Sequence, residues 1–160
     1  MTASGEAVLV AIGQAMAGDD GVGLVVAREL ARRGMTVRES TDASVLLSLL
    51  EEGRRVVLID AVVGGGEPGD VLRLESGALD SGAQPLSSHG VGVAQAIELA
   101  RVLYGDSAAS SVSIVGIVIE RPEGLGGELS PRVAGAVSRA ADLASSLARG
   151  LFDDGGVADA

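Results

Sequence analysis

Cysteine and lysine are both missing from this chain of 160 residues. Without cysteine there is no thiol nucleophile, no disulfide, no iron–sulfur cluster and no thiolate zinc site. Without lysine there is no phosphate-loop lysine, no Schiff base and no Ser-Lys dyad. All 12 basic residues are therefore arginine. Histidine occurs once, as His89, so any imidazole chemistry has a single address. The aromatic residues are Tyr104 and Phe152, too few to build a base-stacking surface. Acidic residues number 22 against the 12 basic ones, a net charge of −10 that repels phosphate backbones and anionic lipid. Neither a nucleic-acid nor a membrane partner is expected. No apolar run reaches the ~18 residues needed to span a bilayer, and residues 1–6 carry no positive leader, so a cytoplasmic location is expected.

What remains is aliphatic. Apolar residues make up 47% of the chain and glycine contributes 24 positions, enough for one aliphatic core with many tight turns. Residues 1–150 read as a single α/β domain, and residues 151–160 as a flexible acidic tail. Ala7–Ile12 is a continuous β-type run, followed by the glycine-rich loop Gly13–Gly21 and a helical pattern over Val22–Arg33. Met35–Glu39 reads as a short strand and Val45–Glu52 as a helix. Arg55–Asp60 is an almost wholly apolar strand, as expected where both faces are covered. Val71–Glu75 alternates apolar with charged residues, the pattern of an antiparallel or edge strand. His89–Tyr104 reads as a helix with Ser87 or Ser88 as N-cap, and Ser111–Ile119 as another buried strand. Ser130–Pro131 opens a last helix that runs to about Arg149.

This alternation predicts a doubly wound, mostly parallel five-stranded sheet with helices on both faces and one antiparallel strand. Ligands of such sheets bind outside the carboxyl ends of the strands, where the winding reverses. With strand order 2-1-3 at the centre, the crevice lies between the first and third strands. Asp19 and Asp20 lie in the loop after the first strand, and Asp60 ends the third. Either Asp19 or Asp20 alone could simply cap the helix that follows. Asp60 stands where function stands in this fold class. His89 is the remaining candidate, and two carboxylates with one imidazole suit Ni²⁺, Zn²⁺, Mn²⁺ or Cd²⁺. Other motifs fail: Val26 occupies the third glycine position of a dinucleotide fingerprint begun by Gly21 and Gly23. There is no Gly-x-Ser-x-Gly elbow, and the single Asp80-Ser81-Gly82 has polar, loop-like flanks.

Several blocks, taken together, resemble the hydrogenase maturation proteases. They are Ile12-Gly13-Gln14 with Gly18-Asp19-Asp20-Gly21-Val22-Gly23, Leu58-Ile59-Asp60-Ala61, and Glu67-Pro68-Gly69 with Leu72-Arg73-Leu74. Ser87-Ser88-His89-Gly90-Val91-Gly92, Val115-Gly116-Ile117 and Leu129-Ser130-Pro131-Arg132-Val133 complete the series. The blocks follow the family's order from about residue 7 to residue 148. The resemblance implies an endopeptidase that removes a C-terminal extension from the large-subunit precursor of a [NiFe]-hydrogenase after nickel insertion. It also implies that Asp20, Asp60 and His89 form a metal-binding and catalytic trio. That trio would meet nickel held by the substrate protein, with zinc or cadmium able to occupy the same site. Two positions depart from the family pattern: Gln14 stands where asparagine is usual, and Ser40–Ser44 lacks the glycines common after the second strand. A competing expectation is a non-catalytic, metal-binding or chaperone-like homologue that docks on the hydrogenase large subunit.

Overall fold

The computed structural model describes residues 7–13, 18–75, 86–87, 92–120 and 127–150. Four strands form the parallel body of the sheet: β1 (Val8–Ile12), β2 (Val37–Ser40), β3 (Val56–Val63) and β6 (Val112–Ile119). An antiparallel strand, β4 (Val71–Glu75), pairs with β6 along the edge. The order is β2-β1-β3-β6-β4, so the doubly wound reading and its 2-1-3 centre hold. A two-residue strand absent from the sequence reading, β5 (Leu86–Ser87), adds antiparallel to the end of β3.

The central strands are covered on both faces because alternate residues enter different cores. From β1, Leu9 and Ala11 pack against α1 (Val22–Arg32) and α6 (Val137–Ala148). Val10 and Ile12 instead pack against α2 (Val45–Glu51) and α3 (Val93–Tyr104). Small residues make the α1/α6 layer thin. Ala140, Ala141, Ala144 and Ala148 line the buried side of α6, where larger side chains would hold the two helices further apart.

Three elements differ from the sequence reading by more than two residues or by a break, each for a local reason. Asp60 was expected to end its strand, yet β3 continues to Val63 because Val62 and Val63 pair with Val118 and Ile119 on one side and with Ser87 and Leu86 on the other. The α3 helix begins at Val93 rather than His89. Gly92 is its extended N-cap, and the Gly92 N–H donates to Gln95 Oε1 at 3.0 Å. Ser87 therefore belongs to β5, not to a cap, and Ser88 lies outside the described residues. The last helix is two helices: α5 (Pro131–Ala134) stops at Gly135, and α6 resumes at Val137. Glycine is a poor helix former, and the tight turn there closes through Ala136 N–H to Val133 O at 2.9 Å. A short helix, α4 (Asp106–Ala109), occupies the connection into β6. The expected tail, 151–160, lies outside the described residues. Among the described residues, no helix is long and apolar enough to cross a membrane.

Candidate active site

Two glycines determine how closely the first loop approaches β3. Gly23 sits in the first turn of α1, where an added Cβ would lie 2.4 Å from the Ile12 carbonyl oxygen and 3.2 Å from that of Ile59. Only a residue without Cβ lets α1 rest on the end of β1 and on the middle of β3. The third position of the dinucleotide fingerprint is thus irrelevant here; Gly23 serves packing between helix and sheet. Gly13 stands against the same turn, its Cβ position 3.5 Å from both the Asp20 carbonyl oxygen and the Gly21 Cα. Gly13 itself is held by donating its N–H to Ser40 O at 3.0 Å.

Asp20 lies in a 3₁₀ turn, Gly18–Gly21, that packs against β3 and leads into α1. The residue is half-buried, with one carboxylate oxygen fully covered. Asp60 follows Ile59 directly and is 0% exposed. Along β3, Val57, Ile59 and Ala61 enter the α1/α6 core, whereas Val56 and Leu58 enter the α2/α3 core. Alternation puts Asp60 on the α2/α3 face. Its register partner on β6 is Gly116, which offers no side chain beside it. A Cβ on Gly116 would come within 3.2 Å of Val62. Among the described residues, Asp60 is the buried charged side chain in an otherwise aliphatic interior. Burying a carboxylate costs energy that aliphatic packing does not return, so Asp60 is the candidate functional position on this strand.

The structure therefore brings the Asp20 turn and Asp60 to the β1/β3 switch point, as the fold argument expected. His89 lies outside the described residues, as does Gln14. The segments flanking His89 are described. Ser87, two positions before it, pairs with Val62 just beyond Asp60. Gly92, after it, opens α3, whose Val93, Ala96 and Ile97 pack on the face that Asp60 shares. Among the described residues no three His, Asp or Glu side chains form a group able to hold a metal.

Asp19 does not cap α1. Its Oδ1 accepts the Ser130 backbone N–H at 2.7 Å, and its Oδ2 accepts the Ser130 hydroxyl at 2.9 Å. The N-cap of α1 is Gly21, without a side-chain hydrogen bond. Ser130 precedes α5 as the sequence predicts, but its hydroxyl is committed to Asp19 rather than to its own helix. No local pattern announces a pairing across 111 positions, so sequence reasoning missed it.

The loop without glycines, Ser40–Ser44, closes by side-chain bonding instead. Asp42 Oδ1 accepts the Ser44 N–H at 2.8 Å and the Ser44 hydroxyl at 2.6 Å. An Asx turn of this kind does not need the positive φ that glycine supplies. The Ser44 hydroxyl, and secondarily its N–H, hold the Asp42 carboxyl below the usual carboxylate range. A cavity of about 430 Å³ lined by Arg33, Arg38, Arg54 and Arg149 opens by residues 7–9, at the opposite end of the strands, and takes no part in this site.

Fold and site together define a doubly wound α/β protein with a buried carboxylate at its switch point. The family model for hydrogenase maturation proteases matches residues 29–147, a span that includes Asp60 and His89 and begins after Asp20. Protein FrxA from Pyrococcus furiosus is 33% identical over 135 residues, covering 82% of this chain and 97% of that protein. The [NiFe] hydrogenase maturation protease HybD from Thermococcus kodakarensis superposes with a TM-score of 0.70 at 29% identity, over 89% of this chain and 98% of that one. The maturation protease HycI from Thermococcus kodakarensis KOD1 gives a TM-score of 0.61 at 25% identity, over 91% and 92% of the two chains. The chain belongs to the hydrogenase maturation protease family.

Proposed function

We propose that this chain is the cytoplasmic endopeptidase that removes the C-terminal extension from the large-subunit precursor of a [NiFe]-hydrogenase once nickel has been inserted. Asp20, Asp60 and His89 are the residues we assign to meeting that nickel, which arrives with the precursor as part of the substrate. Hydrolysis adds water across one peptide bond. The mature subunit leaves with a new C-terminal carboxylate, and the extension leaves with a free amine.

Asp60 supports this reading most. It is a carboxylate with no exposed surface, midway along an apolar strand against which the Asp20 turn packs, and beside a glycine on β6. Two carboxylates and one imidazole are a borderline donor set that suits Ni²⁺ and would also accept zinc or cadmium. Three protein ligands leave coordination positions open for a metal already held by another protein.

The test is mass spectrometry of the large subunit after incubation of nickel-loaded precursor with the purified protein. A mass drop equal to the C-terminal extension is the expected result. Stable complex formation with no mass change would mean that the chain docks without cutting.

A further inference from the structure

We propose that Asp19 and Ser130 form a clamp that positions Asp20, making Asp19 a positioning residue rather than a cap or a metal ligand. This rests on the reading of Asp20 as a carboxylate of the active site. Both oxygens of Asp19 are used on one residue: Oδ1 takes the Ser130 N–H at 2.7 Å and Oδ2 takes the Ser130 hydroxyl at 2.9 Å. A carboxylate engaged at both oxygens in this way has its side-chain torsions restricted. Because Asp19 precedes Asp20 in the same 3₁₀ turn, restricting it also restricts the direction in which the Asp20 side chain leaves the backbone.

The far end of the clamp is firmly based. The Ser130 carbonyl, at the N-cap of α5, accepts the Ala134 N–H at 2.8 Å, and Val133 in that helix is fully buried in the α1/α6 core. On the near side, the Gly13 backbone stands against Asp20 and Gly21, and Gly23 sits on the carbonyls of Ile12 and Ile59. The Asp20 turn is thus held from the sheet by backbone contact and from α5 by the Asp19 carboxylate. Ser130 gives up its usual capping bond for this role, since its hydroxyl makes no cap on α5. A hydrogen-bonded carboxylate of this sort transmits geometry, and displacements near 1 Å in a catalytic group cost on the order of 100-fold in rate.

The experiment compares Asp19→Ala, Asp19→Asn, Ser130→Ala and the Asp19→Ala/Ser130→Ala double variant with wild type, alongside Asp20→Asn as reference. The first readout is amide hydrogen exchange, which needs no substrate. In Asp19→Ala, exchange at Asp20–Gly23 should rise about tenfold while the β3 and β6 amides stay unchanged. Asn can accept from the Ser130 N–H and donate to its hydroxyl, so Asp19→Asn should restore protection. The second readout is processing of nickel-loaded precursor. Asp19→Ala should lower kcat at least about tenfold with KM within about twofold of wild type, Asp19→Asn should recover most of that loss, and the double variant should be no worse than Asp19→Ala. Unchanged exchange at Asp20–Gly23 in Asp19→Ala would overturn the clamp. So would equal losses in Asp19→Asn and Asp20→Asn, because Asp19 would then act through its charge. Wild-type processing by Asp20→Asn would instead remove the underlying site reading, whatever the exchange data show.

Discussion

Gly23→Ala is expected to lower the stability of the fold by roughly 3 kcal/mol, a fall in Tm of about 10 °C, although it adds a single methyl group. The added carbon would stand 2.4 Å from the Ile12 carbonyl oxygen, closer than any real contact, and 3.2 Å from that of Ile59. Both obstacles are backbone atoms, one at the C-terminal end of β1 and one midway along β3, so no side chain can swing aside. Either α1 lifts away from the sheet or β1 and β3 shift, and both movements open the α1/α6 core. Gly53→Ala makes the matching control. Gly53 has φ +78 but nothing within 4 Å of its Cβ position, so only backbone strain of about 1–2 kcal/mol is at stake. Thermal unfolding of the two variants separates the causes. Equal, small losses in both would show that α1 does not sit on the Ile12 and Ile59 carbonyls as described.

Asp60→Asn is expected to abolish precursor processing, a loss of at least about 100-fold, while the protein stays folded. The replacement has the same shape but neither the charge nor the ligating strength of a carboxylate. Losing even an outer partner of a metal ligand costs about 10–100-fold, and a ligand itself should cost more. Asp20→Asn and His89→Ala should reproduce the loss. His89→Ala is the cleanest of the three, because the chain contains no second imidazole to take over. If its cooperative unfolding is unchanged and its processing gone, His89 works in the site; the opposite pattern would assign it to the fold. Processing of precursor by Asp60→Asn at the wild-type rate would remove the carboxylate at the switch point from the chemistry.

The parts of this protein legible in its sequence are those written in short-range patterns. Runs such as Val8–Ile12 and Val56–Ile59 are apolar at every position because parallel strands between two helical layers bury both faces. The alternation of Val71–Glu75 identified the antiparallel edge strand for the same kind of reason. Asp60 could be singled out because it follows such an apolar run toward the carboxyl side of the sheet, where ligands bind in this fold class. Relations across the fold were not legible. The continuation of β3 beyond Asp60 depends on partners more than 20 residues away on β5 and more than 50 away on β6. The purpose of Gly23 depends on two carbonyl groups brought beneath it by the sheet. Asp19 looked like a helix cap because acids before helices usually are. Only the folded chain shows its carboxylate turned to Ser130.

The measurement that bears most directly on the central claim is cleavage of the same large-subunit precursor with and without its nickel. A site of two carboxylates and one imidazole that reads a metal held by its substrate has nothing to engage when that metal is missing. The nickel-loaded precursor should lose its C-terminal extension, and the nickel-free precursor should keep it however much enzyme is added. Equal cleavage of the two forms would contradict the account.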